Sequence, residues 1–311
     1  MEELAAATMN FATDREMGIL PDGREVAIKG KRVDNYYSQG LEELHAEAFM
    51  AEITMHSPIR HKHIVRLHGC CVSQLPPFRE REEECLLVYE YMKNGSLRDH
   101  LHNPSFSSSP VSTSWKMRIE FLHDYTVSPV IHRDIKSSNI LLDATWVPRL
   151  SDFGLSLYWD ETKDYSSVDI NGSYGYVDPE YFMRQCVKPT IDVYSFGVVM
   201  LEVLTGKTAL FHPKEEDMQM EFNWPHQEKS NYMRTPINLV DVAVQLIEAG
   251  KLRKLLDKRP AAEPTPRQLQ AVDLVAQTAT RCVRMQGKDR PAISQVVTNL
   301  QAALELARCD G

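Results

Sequence analysis

The sequence has few cysteines and lacks a long hydrophobic segment. Its six cysteines include no CxxC pair and have no regular spacing, which argues against a disulfide framework and favours reduced thiols. The longest apolar run, residues 193–204, is too short to cross a hydrocarbon core of about 30 Å, so we expect a buried helix there and no transmembrane segment. The first residues, MEELAAATMNF, hold acids where a secretory signal has a basic start. We therefore expect a cytoplasmic protein.

Positive charge is also scarce. The formal net charge is -8 and the sequence pI is about 5.8. This balance argues against a broad basic surface of the kind that binds nucleic acid, and we expect no nucleic-acid partner. Four histidines between residues 45 and 63 lie close together, but they lack cysteine or carboxylate partners at zinc-like spacing. We expect these histidines to be core or surface residues.

What the sequence does contain is the pattern of an α+β protein. The length of 311 residues, with 43% hydrophobic and 25% charged residues, fits one globular enzyme of two lobes. The residues Pro-Asp-Gly at 21–23 predict a turn before an apolar strand at 26–29. A helix over 41–57 and two β-branched or aromatic stretches, 61–69 and 85–92, complete a small β-rich lobe.

Helical spacing dominates the second half of the chain. Apolar residues recur at intervals of three and four within residues 240–256, 268–285 and 293–308, which predicts a larger helical lobe. The predicted divisions of the chain are an N-terminal helical segment with the remnant of a first strand at 1–20, the small lobe at 21–91 and the large lobe at 92–311.

A lysine, a glutamate and two short motifs follow one another along this pattern. Lys29 ends the apolar strand, and Glu52 lies on the next helix, where it would hold the lysine by an ion pair. His-Arg-Asp at 132–134 begins the run HRDIKSSN, and Asp-Phe-Gly stands at 152–154. Taken singly, such a lysine is more often solvated, such a glutamate is usually exposed, and either tripeptide arises by chance. Their shared order and separation make coincidence rare.

These groups meet the needs of phosphoryl transfer from ATP. That reaction requires a cation on the non-transferred phosphates, oxygen ligands for Mg²⁺ and a carboxylate that orients the attacking hydroxyl. Lys29 would supply the cation. Asp134 would be the catalytic base, and Lys136 would place a charge near the γ-phosphate. Asn139 and Asp152 would be the metal ligands.

With these motifs the chain resembles the protein kinase family from about residue 21 to residue 307. HRDIKSSNILLD, with its lysine two residues after the aspartate, is similar to serine/threonine kinases. GSYGYVDPEY, LLVYEYMKNGSL, DVYSFGVVMLEVLTGK and KDRPAISQVV resemble plant receptor-like kinases, and SWKMRI with LLDATWVPRLSDFGLSL is most similar to the CRINKLY-related branch. The resemblance implies the two-lobed protein-kinase fold, ATP and Mg²⁺ as cofactors, and protein substrates phosphorylated on serine or threonine.

The resemblance also implies how the nucleotide is held. Tyr89 is expected to be the gatekeeper beside the adenine pocket. The segment from Glu90 to Met92 is expected to be the hinge whose backbone groups bind adenine, and Ala27 is expected to line the same nucleotide site.

Other implied roles concern the large lobe. Glu180 is expected to pair with Arg290 in its interior, and Asp192 to hold the backbone of the catalytic loop. Arg133 is expected to receive a phosphate that orders the activation loop. Candidates for that phosphorylation, unless they are merely exposed loop residues, are Thr162, Ser166, Ser167 and Ser173.

Two stretches that this family requires are missing. The hairpin GxGxxGxV that covers the ATP phosphates is absent, and the sequence is joined at residues 17–20. Before the catalytic loop, only residues 115–125 remain of a long helix, which at 1.5 Å per residue reach about 16 Å. We expect weakened ATP binding and a shortened sheet with an unpaired edge and an uncovered apolar face. A processing variant and a mispredicted gene model both explain such losses.

Two functions therefore stay open. The complete set of catalytic groups indicates an ATP-dependent protein serine/threonine kinase of receptor-type signalling. The missing hairpin is instead typical of a pseudokinase or scaffold that binds another receptor kinase, and a chain that does not fold stably is a third outcome. In both functional cases we expect receptor kinases at the membrane as partners. Binding to them would place the protein at the inner face of the plasma membrane.

Overall fold

The computed structural model describes residues 17–32, 47–74, 83–103, 105, 130–166, 168–213, 236–258 and 265–308. The chain divides into two compact units. Met1–Gly95 with Leu141–Leu157 form the first unit, and Ser96–Ile140 with Tyr158–Gly311 form the second. The first holds a small antiparallel sheet and the second is mainly helical, so the predicted α+β class is confirmed. The domain boundaries given above stay a prediction.

The sheet of the first unit has four strands in the order β1-β2-β4-β3. The strands are β1, Met17–Ile19; β2, Glu25–Arg32; β3, Leu67–Gln74; and β4, Glu83–Glu90. The predicted turn between β1 and β2 is confirmed, with Gly23 at φ 83°. Glycine has no Cβ and adopts this left-handed conformation without strain, so the turn closes a short hairpin.

Side chains alternate between the two faces of this sheet, as the two-residue period of a strand requires. Val26 and Ile28 are buried on one face, together with Leu86 and Val88. The expected exposure of this apolar face is therefore wrong for the centre of the sheet. Among the described residues, large apolar side chains of the sheet are exposed only in β1, where Met17 is 40% and Ile19 is 56% exposed.

The predicted helix over 41–57 is observed for the part that the structure describes. Residues 47–51 are α-helical and continue into a π-helix, Glu52–His56. Phe49 anchors this segment in the second apolar cluster of the sheet, beside Leu87 and Tyr89. π-Helices are rare and are often found at functional sites.

The predicted strand over 61–69 begins later than expected. Only Leu67–Gln74 joins the sheet, with an irregular register between Leu67 and Gly69. The preceding residues instead bond to the strand Pro148–Leu150, where the Val65 amide donates to the Leu150 carbonyl at 2.9 Å. Residues 63–65 are thus held by a different part of the first unit.

The second unit is built around a helix that is buried on nearly all sides. Thr190–Thr205 contains the run predicted to form a buried helix, which is confirmed. Gly197 lies on it where a Cβ would come within 2.7 Å of the Cys282 Cβ, so the absence of a side chain permits a close helix crossing. The other described α-helices of this unit are Leu97–His102, Pro179–Arg184, Leu239–Glu248, Leu252–Leu255, Pro266–Cys282 and Ile293–Arg308, and two short 3-10 helices are Ser137–Asn139 and Gly287–Asp289.

The remaining described strands are short. They are Val130–Ile131, Ile140–Leu142, Leu157–Tyr158, Leu210–Phe211 and Ile237–Asn238. Of the helix predictions, 268–285 and 293–308 are confirmed within a few residues. The predicted N-terminal helical segment and the shortened helix at 115–125 lie outside the described residues.

The predicted helix over 240–256 is wrong in one respect, because it is two helices. Gly250, at φ 70°, ends the first of them. The Lys251 amide then donates back to the Leu246 carbonyl at 2.8 Å, a closure that satisfies the last carbonyls of a helix. In the described part of the chain no helix has the length and apolar character needed to cross a membrane.

Candidate active site

The first unit brings Lys29 to Glu52, its predicted ion-pair partner, and also to Asp152, which was predicted as a metal ligand. Lys29 leaves β2 on the face opposite Ile28, and its Nζ lies 2.6 Å from Asp152 Oδ1 and 3.8 Å from Glu52 Oε2. The Glu52 side chain is 1% exposed, whereas those of Lys29 and Asp152 are 38% and 37% exposed. The buried Glu52 carboxylate and the Asp152 carboxylate therefore balance the charge of Lys29, while its ammonium group remains partly exposed to solvent.

Glu52 is held in its ionised form by its partners. Its Oε1 accepts a hydrogen bond from the Phe153 amide at 2.8 Å and lies 3.5 Å from His56 Nδ1. Burial alone would raise the pKa of Glu52, but the hydrogen bond from His56 and the charge of Lys29 lower it to about 2. The carboxylate is thus a fixed negative charge beneath the lysine.

This pKa gives a pH dependence of stability. The folded-state pKa of about 2 lies below the ordinary value of 4.5, so Glu52 stabilises the protein fully above pH 4.5 and loses that contribution as the pH falls towards 2. We expect urea denaturation to show a shallower loss of unfolding free energy between these pH values in Glu52→Gln than in the wild type. The exposed Glu161, changed to Gln, serves as the control and should keep the wild-type slope. Equal slopes in all three proteins would contradict the assignment.

His56 is a residue of this site whose role sequence reasoning missed. Its Nε2 contacts the Val65 carbonyl, and its ring centroid lies 4.5 Å from that of Phe153 and 5.7 Å from that of Tyr89. It is a buried core histidine, as expected for this group of histidines. Its place four residues after Glu52 was the available signal, because residues four apart share one face of a helix.

The Asp-Phe-Gly motif combines an unusual backbone with a close approach. Asp152 has φ 66°, a conformation that is strained for a residue with a side chain. At Gly154 a Cβ would lie 3.1 Å from Glu52 Oε2 and 3.3 Å from the Ala48 carbonyl oxygen. A Cβ at this position would displace the Glu52 carboxylate or the Ala48 backbone by a few tenths of an ångström, so glycine permits the close packing against the Glu52 helix. The left-handed turn falls on Asp152.

The predicted adenine-side residues lie at the end of β4. Tyr89 pairs with Ala27 across the sheet and is 7% exposed, and Met92 belongs to the same buried cluster. Burial and the neighbouring Glu52 carboxylate raise the pKa of Tyr89, so its hydroxyl stays protonated. The Glu90 side chain, in contrast, turns to Arg149, with 3.1 Å between Oε2 and Nη1.

In the second unit, the catalytic-loop residues surround one carboxylate. Asp134 is 7% exposed and lies 2.7 Å from Lys136 Nζ. Asn139 Nδ2 donates to Asp134 Oδ2 at 3.0 Å, and Ser173 Oγ donates to Oδ1 at 2.8 Å. Burial alone would raise the pKa of Asp134, but its bonds to Lys136 and Ser173 lower it overall. Asp134 is therefore a buried carboxylate that remains ionised.

The backbone of this loop is held from the central helix, as predicted. Asp192 accepts hydrogen bonds from the amides of His132, at 2.7 Å, and Arg133, at 2.9 Å. Arg133 has φ 68°, so the bonds that Asp192 accepts hold a strained turn immediately before Asp134. The Arg133 guanidinium also donates to the Tyr181 hydroxyl at 2.9 Å.

Ser173 has a different environment from the other proposed phosphorylation sites. It is half-buried, and its Oγ accepts from Lys136 Nζ at 2.7 Å while donating to Asp134. A phosphate there would stand against the Asp134 carboxylate. Thr162 and Ser166 are exposed, and Ser167 lies outside the described residues. The structure therefore favours Thr162 and Ser166 over Ser173 as accessible hydroxyls.

The predicted pairing of Glu180 with Arg290 is wrong. Arg290 instead forms a two-pronged ion pair with Asp178, with Nη2 at 2.6 Å from Oδ1. Asp178 immediately precedes the helix Pro179–Arg184, whereas Glu180 lies within it and accepts from the Gly287 amide at 2.6 Å. The residue before the helix thus reaches the buried arginine.

The first unit holds a strand lysine between two carboxylates. The second unit holds a loop with aspartate, lysine and asparagine, in which a serine bonds to the aspartate and the lysine. These are the chemical groups of an ATP-dependent phosphotransferase. Residues 17–299 match the family model of the protein kinase domain, and the chain belongs to the protein kinase family. Enzymes of this family use ATP with divalent metal ions and act on protein substrates.

The chain is also similar to plant kinases along nearly its whole length. It is 42% identical to the serine/threonine-protein kinase-like protein CCR3 and 39% identical to CCR4, both of Arabidopsis thaliana, over 98% of the chain in each case. Identity to the receptor-like protein kinase HERK 1 of the same plant is 35% over 96% of the chain. These similarities confirm the predicted resemblance to receptor-like kinases of the CRINKLY-related branch.

The relatives are longer than this chain. The chain spans 38% of CCR3, 40% of CCR4 and 34% of HERK 1. Even within the shared part, the alignment with CCR3 covers 331 positions, more than the 311 residues of the chain. CCR3 therefore has internal residues without a counterpart here, which agrees with the predicted loss of internal stretches; where those stretches fall stays a prediction.

Proposed function

We propose that this chain is the catalytic domain of a protein serine/threonine kinase, which transfers the γ-phosphoryl group of ATP to a serine or threonine hydroxyl of a protein. The observation that carries the proposal is the buried, ionised Asp134 with Lys136, Asn139 and Ser173 bonded around it. Each of these residues has the chemical type that the reaction needs at its position.

Asp134 orients the attacking hydroxyl. Its lowered pKa leaves the carboxylate ionised at neutral pH, so it accepts the hydrogen bond of an incoming hydroxyl group. Lys136, whose ammonium group lies 2.7 Å from that carboxylate, offers a positive charge where negative charge accumulates on the transferred group. Ser173 bonds to both residues and fixes their relative positions.

Lys29 binds the non-transferred phosphates of ATP. Its ammonium is directed by Glu52 and Asp152 and remains partly exposed, as a group that meets an external anion must be. Ala27 and Met92 then line the adenine site, where the backbone at Glu90 and Met92 bonds to the base.

The donor set fits Mg²⁺ as the divalent metal. Mg²⁺ prefers oxygen ligands and takes few of them from the protein, since phosphates and water supply the others. Asp152 offers a partly exposed carboxylate, and Asn139 offers an amide whose nitrogen is already bonded to Asp134. When bound, the ion neutralises the charge of the phosphates.

The structure and the relatives favour the kinase over a pseudokinase. A scaffold that no longer catalyses has no need for the lysine, the base and both oxygen ligands, yet all are present. By its similarity to receptor-like kinases we further propose that the protein acts in receptor-type signalling in the cytoplasm, with receptor kinases at the inner face of the plasma membrane as partners.

A thermal melt with Mg²⁺-ATP and an assay of phosphate transfer to serine and threonine peptides test this proposal together. We expect wild-type protein to gain about 2.7 kcal/mol at an ATP concentration of 100 times Kd, and Lys29→Met to lose most of that gain. Lys93→Met is the matched control, since Lys93 is an exposed lysine paired with Glu25. A melt that ATP does not shift, with no phosphate transferred, would refute the proposed activity.

A further inference from the structure

A cavity of about 410 Å³ lies in the first unit, lined in part by Arg24, Arg60, Arg66, Arg149, His61 and His68. We call it the arginine groove. Its volume falls within the range of about 300 to 1,000 Å³ that is usual for ligand sites. Of the residues assigned above to nucleotide binding, Glu90 and Tyr91 of the expected hinge line it, whereas Lys29, Glu52, Asp152 and Asp134 do not. We propose that the arginine groove binds a peptide segment that carries a carboxylate or phosphate beside an apolar side chain.

Two of the four arginines already have carboxylate partners. Arg24 lies 2.6 Å from Asp22, and Arg149 lies 3.1 Å from Glu90 and 2.9 Å from Asp143. These ion pairs form part of the walls of the groove, and their carboxylates largely balance the positive charges of Arg24 and Arg149.

The other two arginines have no carboxylate partner among the described residues. Arg60 donates only to backbone carbonyls, at 2.7 Å from Ser57 and 3.1 Å from Ile59. Arg66 is exposed, and its guanidinium makes no hydrogen bond or ion pair with any residue that the structure describes. The lining also includes two carboxylates, but Glu25 is paired with Lys93 and Glu90 with Arg149. Two arginines without a carboxylate partner in the described part of the chain therefore face one cavity, in a protein whose net charge is -8.

The pKa of the neighbouring His68 is consistent with positive charge in the groove. His68 lies 3.3 Å from Arg24 Nη1, and its pKa is lowered by burial and then by the charges of Arg24 and Arg66. An oxyanion in the groove would relieve this repulsion and accept charge-assisted hydrogen bonds from the free guanidinium group, which are stronger than neutral ones.

The groove also has an apolar part. Ile59 and Ile64 are 9% and 5% exposed and line the cavity together with Tyr91. A free inorganic anion would leave this surface unused, whereas a peptide offers an apolar side chain next to its charged group. The net negative charge of the chain disfavours nucleic acid as the occupant. Carboxylate and phosphate both offer the oxyanion that arginine recognises, and the experiment below distinguishes between them.

Fluorescence anisotropy with three labelled peptides tests the proposal on the whole chain. The first peptide carries two adjacent glutamates beside a leucine, the second carries a phosphoserine in their place, and the third carries two glutamines. We expect the first or the second to bind at least tenfold more tightly than the third, and Arg66→Ala to weaken that binding about tenfold or more. Preference for the first peptide assigns a carboxylate ligand, and preference for the second assigns a phosphate.

Lys62→Ala is the matched control. Lys62 is exposed and close in sequence to Arg66 but does not line the groove, so its removal changes the net charge equally and should alter binding less than twofold. Equal binding of all three peptides, equal losses in Lys62→Ala and Arg66→Ala, or no binding of any peptide at millimolar concentration would each overturn the proposal. Since the Arg66 side chain is exposed and its guanidinium bonds to no described residue, and since alanine keeps the backbone carbonyl that accepts from the Glu90 amide, the replacement should leave the melting temperature unchanged.

Discussion

Replacing Asp134 with asparagine should lower the rate of phosphate transfer about a thousandfold, within the range that general bases contribute. Asparagine has nearly the same shape and still accepts the hydrogen bond from Ser173, so the loop should keep its form. It has no negative charge with which to orient the substrate hydroxyl. The measurement is the initial rate of phosphate incorporation into a serine peptide at saturating ATP.

Two comparisons make this result specific. The stabilisation by Mg²⁺-ATP should survive in Asp134→Asn, because Lys29 and its partners belong to the first unit and are unchanged. Asp164→Asn removes the same charge from an exposed aspartate whose side chain bonds to Ser166, and it should keep at least half of the wild-type rate. A rate for Asp134→Asn within tenfold of the wild type would rule out Asp134 as the base.

The second large effect is expected on stability, at the buried ion pair of the second unit. Asp178→Asn should reduce the free energy of unfolding by about 3 to 5 kcal/mol, because it leaves the Arg290 charge buried without a carboxylate. Asparagine is as good as aspartate before the first turn of a helix, so the loss reports the ion pair and not the cap. Urea denaturation measures the change.

Glu180→Gln distinguishes the observed pair from the one predicted from the sequence. Glutamine still accepts the hydrogen bond from the Gly287 amide, so we expect a cost of about 1 kcal/mol or less. The exposed Arg184, changed to alanine, should cost about 0.5 kcal/mol or less. A larger loss in Glu180→Gln than in Asp178→Asn would restore Glu180 as the partner of Arg290.

The candidate catalytic groups could be predicted for two reasons: Asp134, Lys136 and Asn139 fall within one short motif, and the family pattern pairs the strand lysine Lys29 with Glu52 on the next helix. Lys29 and Glu52 were expected to meet, and the structure brings them to 3.8 Å. Asp134 and Asn139 were expected in one loop, and they are hydrogen-bonded. Spacing within a motif of a few residues leaves the backbone little freedom, so order along the chain translates almost directly into position.

Predictions that depended on neighbours distant in sequence were less complete. The family resemblance implied an ion pair between Glu180 and Arg290, but Asp178 lies two residues before Glu180, and only folding decides which carboxylate reaches the arginine. Ser173 was a candidate for phosphorylation by its place in the expected activation loop, whereas its bonds to Asp134 and Lys136 join it to a segment 39 and 37 residues earlier in the chain. The position of His56 four residues after Glu52 indicated that the two side chains are neighbours. Nothing in the sequence indicated the contact of His56 with Phe153.

The sequence by itself indicated the protein class, through the resemblance of its motifs to those of a known family, and it indicated the candidate charged groups of the site by their residue type and local spacing. The tertiary structure alone decided which groups are buried and which partners they have. It decided that Glu52 stays ionised although it is almost fully buried, since that requires His56 and Lys29 to stand beside it. It also decided that Arg66 remains unpaired among the described residues while Arg149 is bound twice. Burial and pairing depend on distances between residues far apart along the chain, and only the folded protein sets those distances.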